Sequence, residues 1–246
     1  MRATWHVADV VLIRQETPNA HRIVLNIPNW PGNDAGQHVD VRLTAPDGYQ
    51  ATRSYSLASS GASTMIELAV DKMPDGEVSP FLVDELQPGD QIEIQGPLGR
   101  WFVWTPPLPS DPRTGPVQLI GAGSGVIPLV AMMRAHQVSG DATSFRLLYS
   151  APSPEFVYYA AEIQEATAST APFAVDYVFT RKSPDDSARP AGRISRADIT
   201  HFVSAPQLHP RLFLCGGTAF VERVISWLID VGHDPDNIRA ERYGGS

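Results

Sequence analysis

Two stretches of the 246-residue chain place groups where ligand chemistry could occur. In the second half, Leu119-Ile120-Gly121-Ala122-Gly123-Ser124-Gly125-Val126-Ile127-Pro128 reads as a strand that empties through three glycines into a helix. Glycines let backbone N–H groups approach a phosphate, and the start of a helix adds about half a positive charge. The loop is not a P-loop, since no Gly-Lys-Ser/Thr follows, and Val126 stands where the dinucleotide fingerprint has its third glycine. A plain strand-to-helix turn is the alternative. In the first half, Arg53-Ser54-Tyr55-Ser56-Leu57 lies in strand-like sequence. Taken alone, Tyr55 is a half-buried strand aromatic and Arg53 a solvated charge. The single cysteine, Cys215, excludes an internal disulfide, a cysteine-rich zinc site and a cysteine-ligated iron–sulfur cluster within these residues. The histidines are scattered with no close pair, so no metal site is expected.

Elements of two kinds must position these residues. Residues 21–27, 38–43, 65–70 and 91–95 alternate apolar and polar side chains as half-buried strands do, with a helix expected over 79–86. Many short strands with one helix suggest a small antiparallel barrel. The proline-dense tract at 105–112 cannot continue a helix or a central strand, and reads as a stiff linker. Beyond it strand and helix alternate: 117–120 and 127–136, 145–149 and 155–166, 174–180 and 195–202, 212–215 and 219–231. That order predicts a parallel sheet covered by helices, with ligands at the carboxyl ends of its strands. The expected organisation is a barrel over 1–107, a linker over 108–116 and an α/β domain over 117–246.

Composition narrows the class. Hydrophobic residues are 43% and charged residues 19%, as in a globular protein with a real core. Lys and Arg number 19 against 27 Asp and Glu, a net charge of −8, and no basic run occurs, which disfavours a nucleic-acid binder. Residues 114–133 carry no charge over the length of a membrane span, but four glycines and two prolines break them into strand, turn and helix, so no membrane span is expected. The first residues lead into a strand pattern instead of an apolar signal core, and a cytoplasmic setting is expected.

Joined in order, the segments resemble the ferredoxin–NADP reductase family, in particular those relatives of oxygenase reductases that lack an iron–sulfur domain. Arg53-Ser54-Tyr55-Ser56 is similar to the family's Arg-x-Tyr-Ser flavin motif, and Gly76-Glu77-Val78-Ser79 to its Gly-x-x-Ser phosphate clamp. Gly96-Pro97-Leu98-Gly99 resembles its Gly-Pro-x-Gly strand end, Gly121 to Pro128 its pyridine-nucleotide loop, and Leu214-Cys215-Gly216-Gly217 its Cys-Gly-Pro segment.

The resemblance implies an FAD-dependent NAD(P)H oxidoreductase that passes electrons from NADPH (or NADH) through the flavin to a separate acceptor protein or a small oxidant. A non-catalytic flavin- and nucleotide-binding subunit is the alternative. Arg53 would pair with the flavin phosphate, Tyr55 would lie against the isoalloxazine, Ser54 belongs to the same segment, and Ser56 could hydrogen-bond flavin N5. Gly76, Val78 and Ser79 would present the pyrophosphate clamp, with Ser79 also readable as an ordinary helix N-cap. Gly121, Gly123, Ser124, Gly125 and Pro128 would hold the dinucleotide. Cys215 would stand beside the reacting nicotinamide carbon, with Gly216 keeping the loop small, although a buried structural thiol is the other reading. Glu241 would be the family's closing acid and Tyr243 its closing aromatic over the flavin, or else an edge-strand tyrosine. Thr180, Arg181 and Arg193 follow a strand and resemble the arginines that grip a 2′-phosphate, which favours NADPH, whereas Pro152 stands where many relatives have Arg. Residues 96–101 would help shape the adenylate site that distinguishes FAD from FMN, with Trp101 and Phe102 stacking on adenine or packing within the protein.

Overall fold

The structure, a computed structural model, describes residues 4–107 and 115–244. The chain divides into two compact units, 1–104 and 105–246. Most of the expected linker, residues 108–114, lies outside the described residues.

The first unit is a six-stranded antiparallel sheet. Its strands are β1 (Thr4–Thr17), β2 (Ala20–Asn26), β3 (His38–Thr44), β4 (Gln50–Ser56), β5 (Met65–Asp71) and β6 (Gln91–Leu98), with helix α1 (Ser79–Asp84) between β5 and β6. They lie in the order β4-β3-β6-β1-β2-β5. Just past β4, Leu57 bridges Leu68 and the Ala58 N–H donates to the Glu67 carbonyl at 2.8 Å, so the two edge strands approach and the sheet curls toward a barrel. Its interior holds Ile23, Leu25, Val39, Val41, Leu57, Leu68 and Ile94, each fully enclosed. Residues directly opposite in an antiparallel pair share a face. Val39 faces Tyr55 and Val41 faces Arg53, so these two side chains rise from the core side of β4, while Ser54 and Ser56 share the other face with Asp40 and His38.

The second unit is a five-stranded parallel sheet. It comprises β7 (Val117–Ala122), α2 (Ile127–Ser139), β8 (Phe145–Ala151), α3 (Ala160–Thr167), β9 (Phe173–Phe179), α4 (Arg196–Phe202), β10 (Arg211–Gly217), α5 (Thr218–Asp230) and β11 (Ile238–Tyr243). The order β11-β10-β7-β8-β9 puts β7 in the middle, with the chain running outward to one side through β8 and to the other through β10. The strand order therefore reverses between β7 and β10, which is where open α/β sheets bind ligands. Over its described residues, 115–133, the uncharged stretch resolves into β7, a tight turn and α2, whose side chains from Ile127 to Met133 are all buried. Among the described residues no helix is long and apolar enough to cross a membrane.

Two expected helices begin later than the sequence pattern suggests. The helix expected over 155–166 is a short 3-10 turn at Pro154–Phe156 followed by α3 from Ala160, because Tyr159 takes a left-handed conformation (φ 55°) that no continuous helix permits. Ser79 is not the cap of α1. That position is Val78, and the Ser79 Oγ turns back to accept the Met73 N–H at 3.0 Å. Ser195 caps α4 through a reciprocal pair of bonds with Asp198, so that helix starts one residue later than the sequence pattern suggests.

Candidate active site

In the first unit the candidate ligand surface runs along edge strand β4. Tyr55 is half-buried against the core, and burial pushes its phenol up to about 12, so it stays neutral at any working pH. The Arg53 guanidinium is about half exposed; it donates to the Thr52 carbonyl at 2.8 Å and forms an ion pair with Glu77 at 2.5 Å. Ser54 donates to the Asp40 carboxylate at 2.5 Å, and Ser56 pairs across the ladder with His38. The Gly76–Ser79 loop is drawn tight by a Gly76 N–H to Met73 carbonyl bond of 2.8 Å. A side chain at Gly76 would press on the Ser79 Oγ and the Met73 carbonyl, at 3.0 and 3.1 Å. A cavity of about 620 Å³ adjoins this loop, lined by Arg42, Tyr49, Ala51, Glu77 and Phe81 among others. A second, of about 960 Å³, includes Gly96 to Arg100 in its lining. Phe102 is buried, whereas Trp101 stands 63% exposed.

In the second unit the glycine turn sits at the reversal between β7 and β10. Each glycine is needed for a different reason. Gly123 has φ +54°, the left-handed region. Gly125 approaches β10 so closely that a side chain there would collide with the Cys215 carbonyl and lie 2.8 Å from the Gly216 Cα. Val126 is fully buried, and a Cβ on Gly121 would come within 3.3 Å of its Cα, so the close packing of strand on helix is made by Gly121 against Val126. Two tyrosines hold the turn. The Tyr149 hydroxyl, reaching up from β8, donates to the Gly123 carbonyl at 3.1 Å and accepts the Tyr158 N–H at 3.2 Å. The Tyr243 hydroxyl, from β11, donates to the Ala122 carbonyl at 2.7 Å and accepts the Gly125 N–H at 3.2 Å. Tyr243 is thus engaged on the glycine turn of its own unit. Pro128 is in the first turn of α2, where its missing N–H costs nothing.

Cys215 is 2% exposed, and burial, with the nearby Glu241 charge, drives its thiol far above its usual range. It is a neutral thiol, not a nucleophile. Glu241 lies directly across from it in the β10–β11 ladder, and burial raises its carboxyl from 4.5 to about 7. At the far end of the sheet, the Thr180 and Arg181 N–H groups donate to the Ala151 and Pro152 carbonyls at 2.9 and 2.8 Å, and the Gly192 N–H donates to the Phe179 carbonyl at 2.9 Å. Arg181 and Arg193 therefore leave the same strand end, both exposed. Their loop is clasped by Arg189, which grips both oxygens of Asp198 at 2.7 and 2.8 Å and the Arg193 carbonyl at 3.0 Å.

The structure brings Gly121 to Gly125, Cys215, Gly216, Glu241 and Tyr243 to one strand-end cluster, and Arg53, Tyr55 and Gly76 to Ser79 to one edge of the first unit. Tyr149, Arg189, Asp198 and the Glu77–Tyr49 pair are additions that sequence reasoning did not reach. Each acts through a tertiary contact that leaves no local spacing; only the Ser195-to-Asp198 capping pattern was readable in advance. Among the described residues no group of three or more His, Cys, Asp or Glu is placed to hold a metal.

An antiparallel unit with an arginine–tyrosine edge strand, followed by a parallel unit with a glycine turn at its reversal, defines the class of nicotinamide-linked flavoproteins. Residues 10–103 match the oxidoreductase FAD-binding domain family and residues 119–225 the oxidoreductase NAD-binding domain family. The chain belongs to the ferredoxin–NADP reductase family. It is 26% identical over 221 residues to a flavohemoprotein of Bacillus subtilis, covering 87% of this chain and 52% of that protein. To the ferredoxin–NAD(P)+ reductase component of a naphthalene 1,2-dioxygenase system of Pseudomonas putida it is 23% identical over 234 residues, covering 95% and 67%. Among solved structures it is similar to an Amycolatopsis cytochrome P450 reductase, with a TM-score of 0.84 and 26% identity over 98% of this chain and 70% of that one. The chain spans about half to two thirds of the length of these curated relatives.

Proposed function

We propose that the chain is an FAD-dependent NAD(P)H reductase that draws electrons from a reduced nicotinamide and hands them to a separate redox acceptor. The observation that carries this reading is the glycine turn at the β7–β10 reversal, where Gly123 takes a left-handed conformation and Gly125 packs against the β10 backbone too closely for any side chain. The donor set fits both groups. In the second unit the Gly125 N–H is the donor a pyrophosphate would take in place of the Tyr243 hydroxyl; in the first, the Arg53 fork suits a phosphate and the neutral Tyr55 ring suits a flavin face.

Bound flavin supplies the capacity to accept a hydride and release electrons one at a time. The chain's own residues bind and orient. Cys215 and Gly216 keep the strand end narrow and uncharged where a nicotinamide would lie. Glu241 holds a proton below about pH 7, and its ionised form above that favours the cationic, oxidised nicotinamide. Ser56 offers a hydroxyl to flavin N5. Direct hydride transfer requires no side-chain acid, base or nucleophile, so placement is the chain's main contribution. Arg181 and Arg193 would meet the 2′-phosphate of NADPH, as two forks suit a dianion. The acceptor is proposed to be a separate protein, because several relatives are named as reductase components of oxygenase systems.

The test is an absorbance spectrum of the purified chain followed by anaerobic addition of NADPH and then NADH. Flavin bands that bleach with nucleotide support the proposal. A yellow protein that does not bleach favours the non-catalytic binding subunit, and a colourless protein that cannot be reconstituted with FAD overturns both.

A further inference from the structure

The cations around α1 are all engaged by acids. Arg42 is held by Glu93 at 2.9 and 2.6 Å, Lys72 by Asp84 at 2.6 Å, and Arg53 by Glu77 at 2.5 Å. The acid of the last pair sits inside the loop read as the phosphate clamp. Glu77 is the second residue of Gly76–Ser79, and the tight Gly76 turn presents its carboxylate toward β4. Both of its oxygens are used: Oε2 by Arg53, and Oε1 by the Tyr49 hydroxyl, which donates at 2.6 Å. Pro80, next to Ser79 at the start of α1, has no N–H, so this clamp offers one backbone donor fewer to an anion. The guanidinium expected to meet the flavin phosphate therefore already holds an anion supplied by the clamp itself.

We infer that Glu77 is a latch on Arg53 that determines how strongly the first unit prefers a phosphorylated flavin. A flavin phosphate reaching Arg53 exchanges with the Glu77 carboxylate instead of meeting an open cation, so the phosphate-dependent part of the affinity is an exchange difference. Tyr49 strengthens the latch by fixing the second oxygen. The inference rests on the proposed pairing of Arg53 with the flavin phosphate.

The experiment is a double-mutant cycle read by binding, using the full chain stripped of flavin and titrated by fluorescence quenching with FAD and, separately, with riboflavin, which has no phosphate. Glu77→Gln should tighten FAD about two- to fivefold, the range spanned by exposed ion pairs, and leave riboflavin unchanged. In an Arg53→Gln background the same change should have no effect. Unfolding midpoints of each variant confirm that the fold persists. Weaker or unchanged FAD binding by Glu77→Gln, while Arg53→Gln still weakens it, overturns the latch but leaves Arg53 as the phosphate partner. If Arg53→Gln leaves FAD binding unchanged, the phosphate role of Arg53 fails and the latch fails with it.

Discussion

Replacing Glu241 with Gln should make the protein more stable, and only at higher pH. The carboxyl is half-buried on β11 opposite Cys215, and burial raises it from 4.5 to about 7. Below about pH 4.5 it is protonated in both folded and unfolded chains and costs nothing. Between the two values the unfolded chain ionises while the folded one retains its proton, so stability falls as pH rises, and above about pH 7 the loss levels off. At about 1.4 kcal/mol for each pH unit of separation, the whole interval corresponds to about 3 kcal/mol. Water reaches part of the side chain and screens it, which brings the expected cost to about 1–2 kcal/mol at pH 8. Glu241→Gln, which keeps the shape without the charge, should recover that amount, or about 2–8 °C in unfolding midpoint. The assay is urea unfolding of variant and parent from about pH 5 to pH 8, taking the difference at each pH. His38, His136 and His233, whose pKa burial lowers, titrate alike in both proteins and cancel. A difference that does not change with pH, or a variant less stable at pH 8, would refute the assignment of a buried, reluctantly ionised carboxylate.

Three further substitutions probe the nucleotide side. Gly125→Ala places a methyl against the backbone of Cys215 and Gly216, which cannot swing aside; it should cost about 1–3 kcal/mol of stability and raise the nucleotide KM at least tenfold, with FAD affinity unchanged by titration. Arg181→Ala should raise the KM for NADPH much more than that for NADH, and equal effects in steady-state assays would remove the 2′-phosphate role. Tyr243→Phe deletes the hydroxyl that accepts the Gly125 N–H, so the nucleotide should bind about two- to tenfold more tightly by calorimetry. Weaker binding would mean that the hydroxyl serves to preorganise the turn.

Much of this architecture is legible from local pattern. Alternation in residues 38–43 places Val39 and Val41 inside, and the antiparallel ladder carries that choice across to Tyr55 and Arg53. The parallel sheet and its glycine turn follow from strand–helix alternation, because a nearly continuous apolar run such as β7 must be covered on both faces. What local pattern misses is set by distant contacts. Tyr159 breaks the expected helix because the chain must return Tyr158 to the Tyr149 hydroxyl. Ser79 reads as a cap by residue type, yet its hydroxyl is claimed by Met73, six residues earlier. Glu77 is visible as a letter in the clamp, but its pairing with Arg53 spans 24 residues and exists only once β4 and the clamp loop are side by side.

These exceptions share a physical cause. A guanidinium or a backbone N–H is strongly driven to find an oxygen, and leaving it unmade is more costly than making an ordinary partner. At both proposed phosphate positions the chain supplies that oxygen itself: the Glu77 carboxylate on Arg53, and the Tyr243 hydroxyl on the Gly125 N–H. The two stand-ins differ in charge. A phosphate replacing Tyr243 exchanges a neutral oxygen for an anion and gains electrostatically at the helix start, whereas one replacing Glu77 exchanges anion for anion and gains little. Flavin affinity should therefore rest mainly on the ring contacts near Tyr55 and Ser56, and nicotinamide affinity mainly on the phosphates. Truncating FAD to riboflavin should then cost the first unit proportionally less binding than truncating NADPH to a bare nicotinamide mononucleoside costs the second.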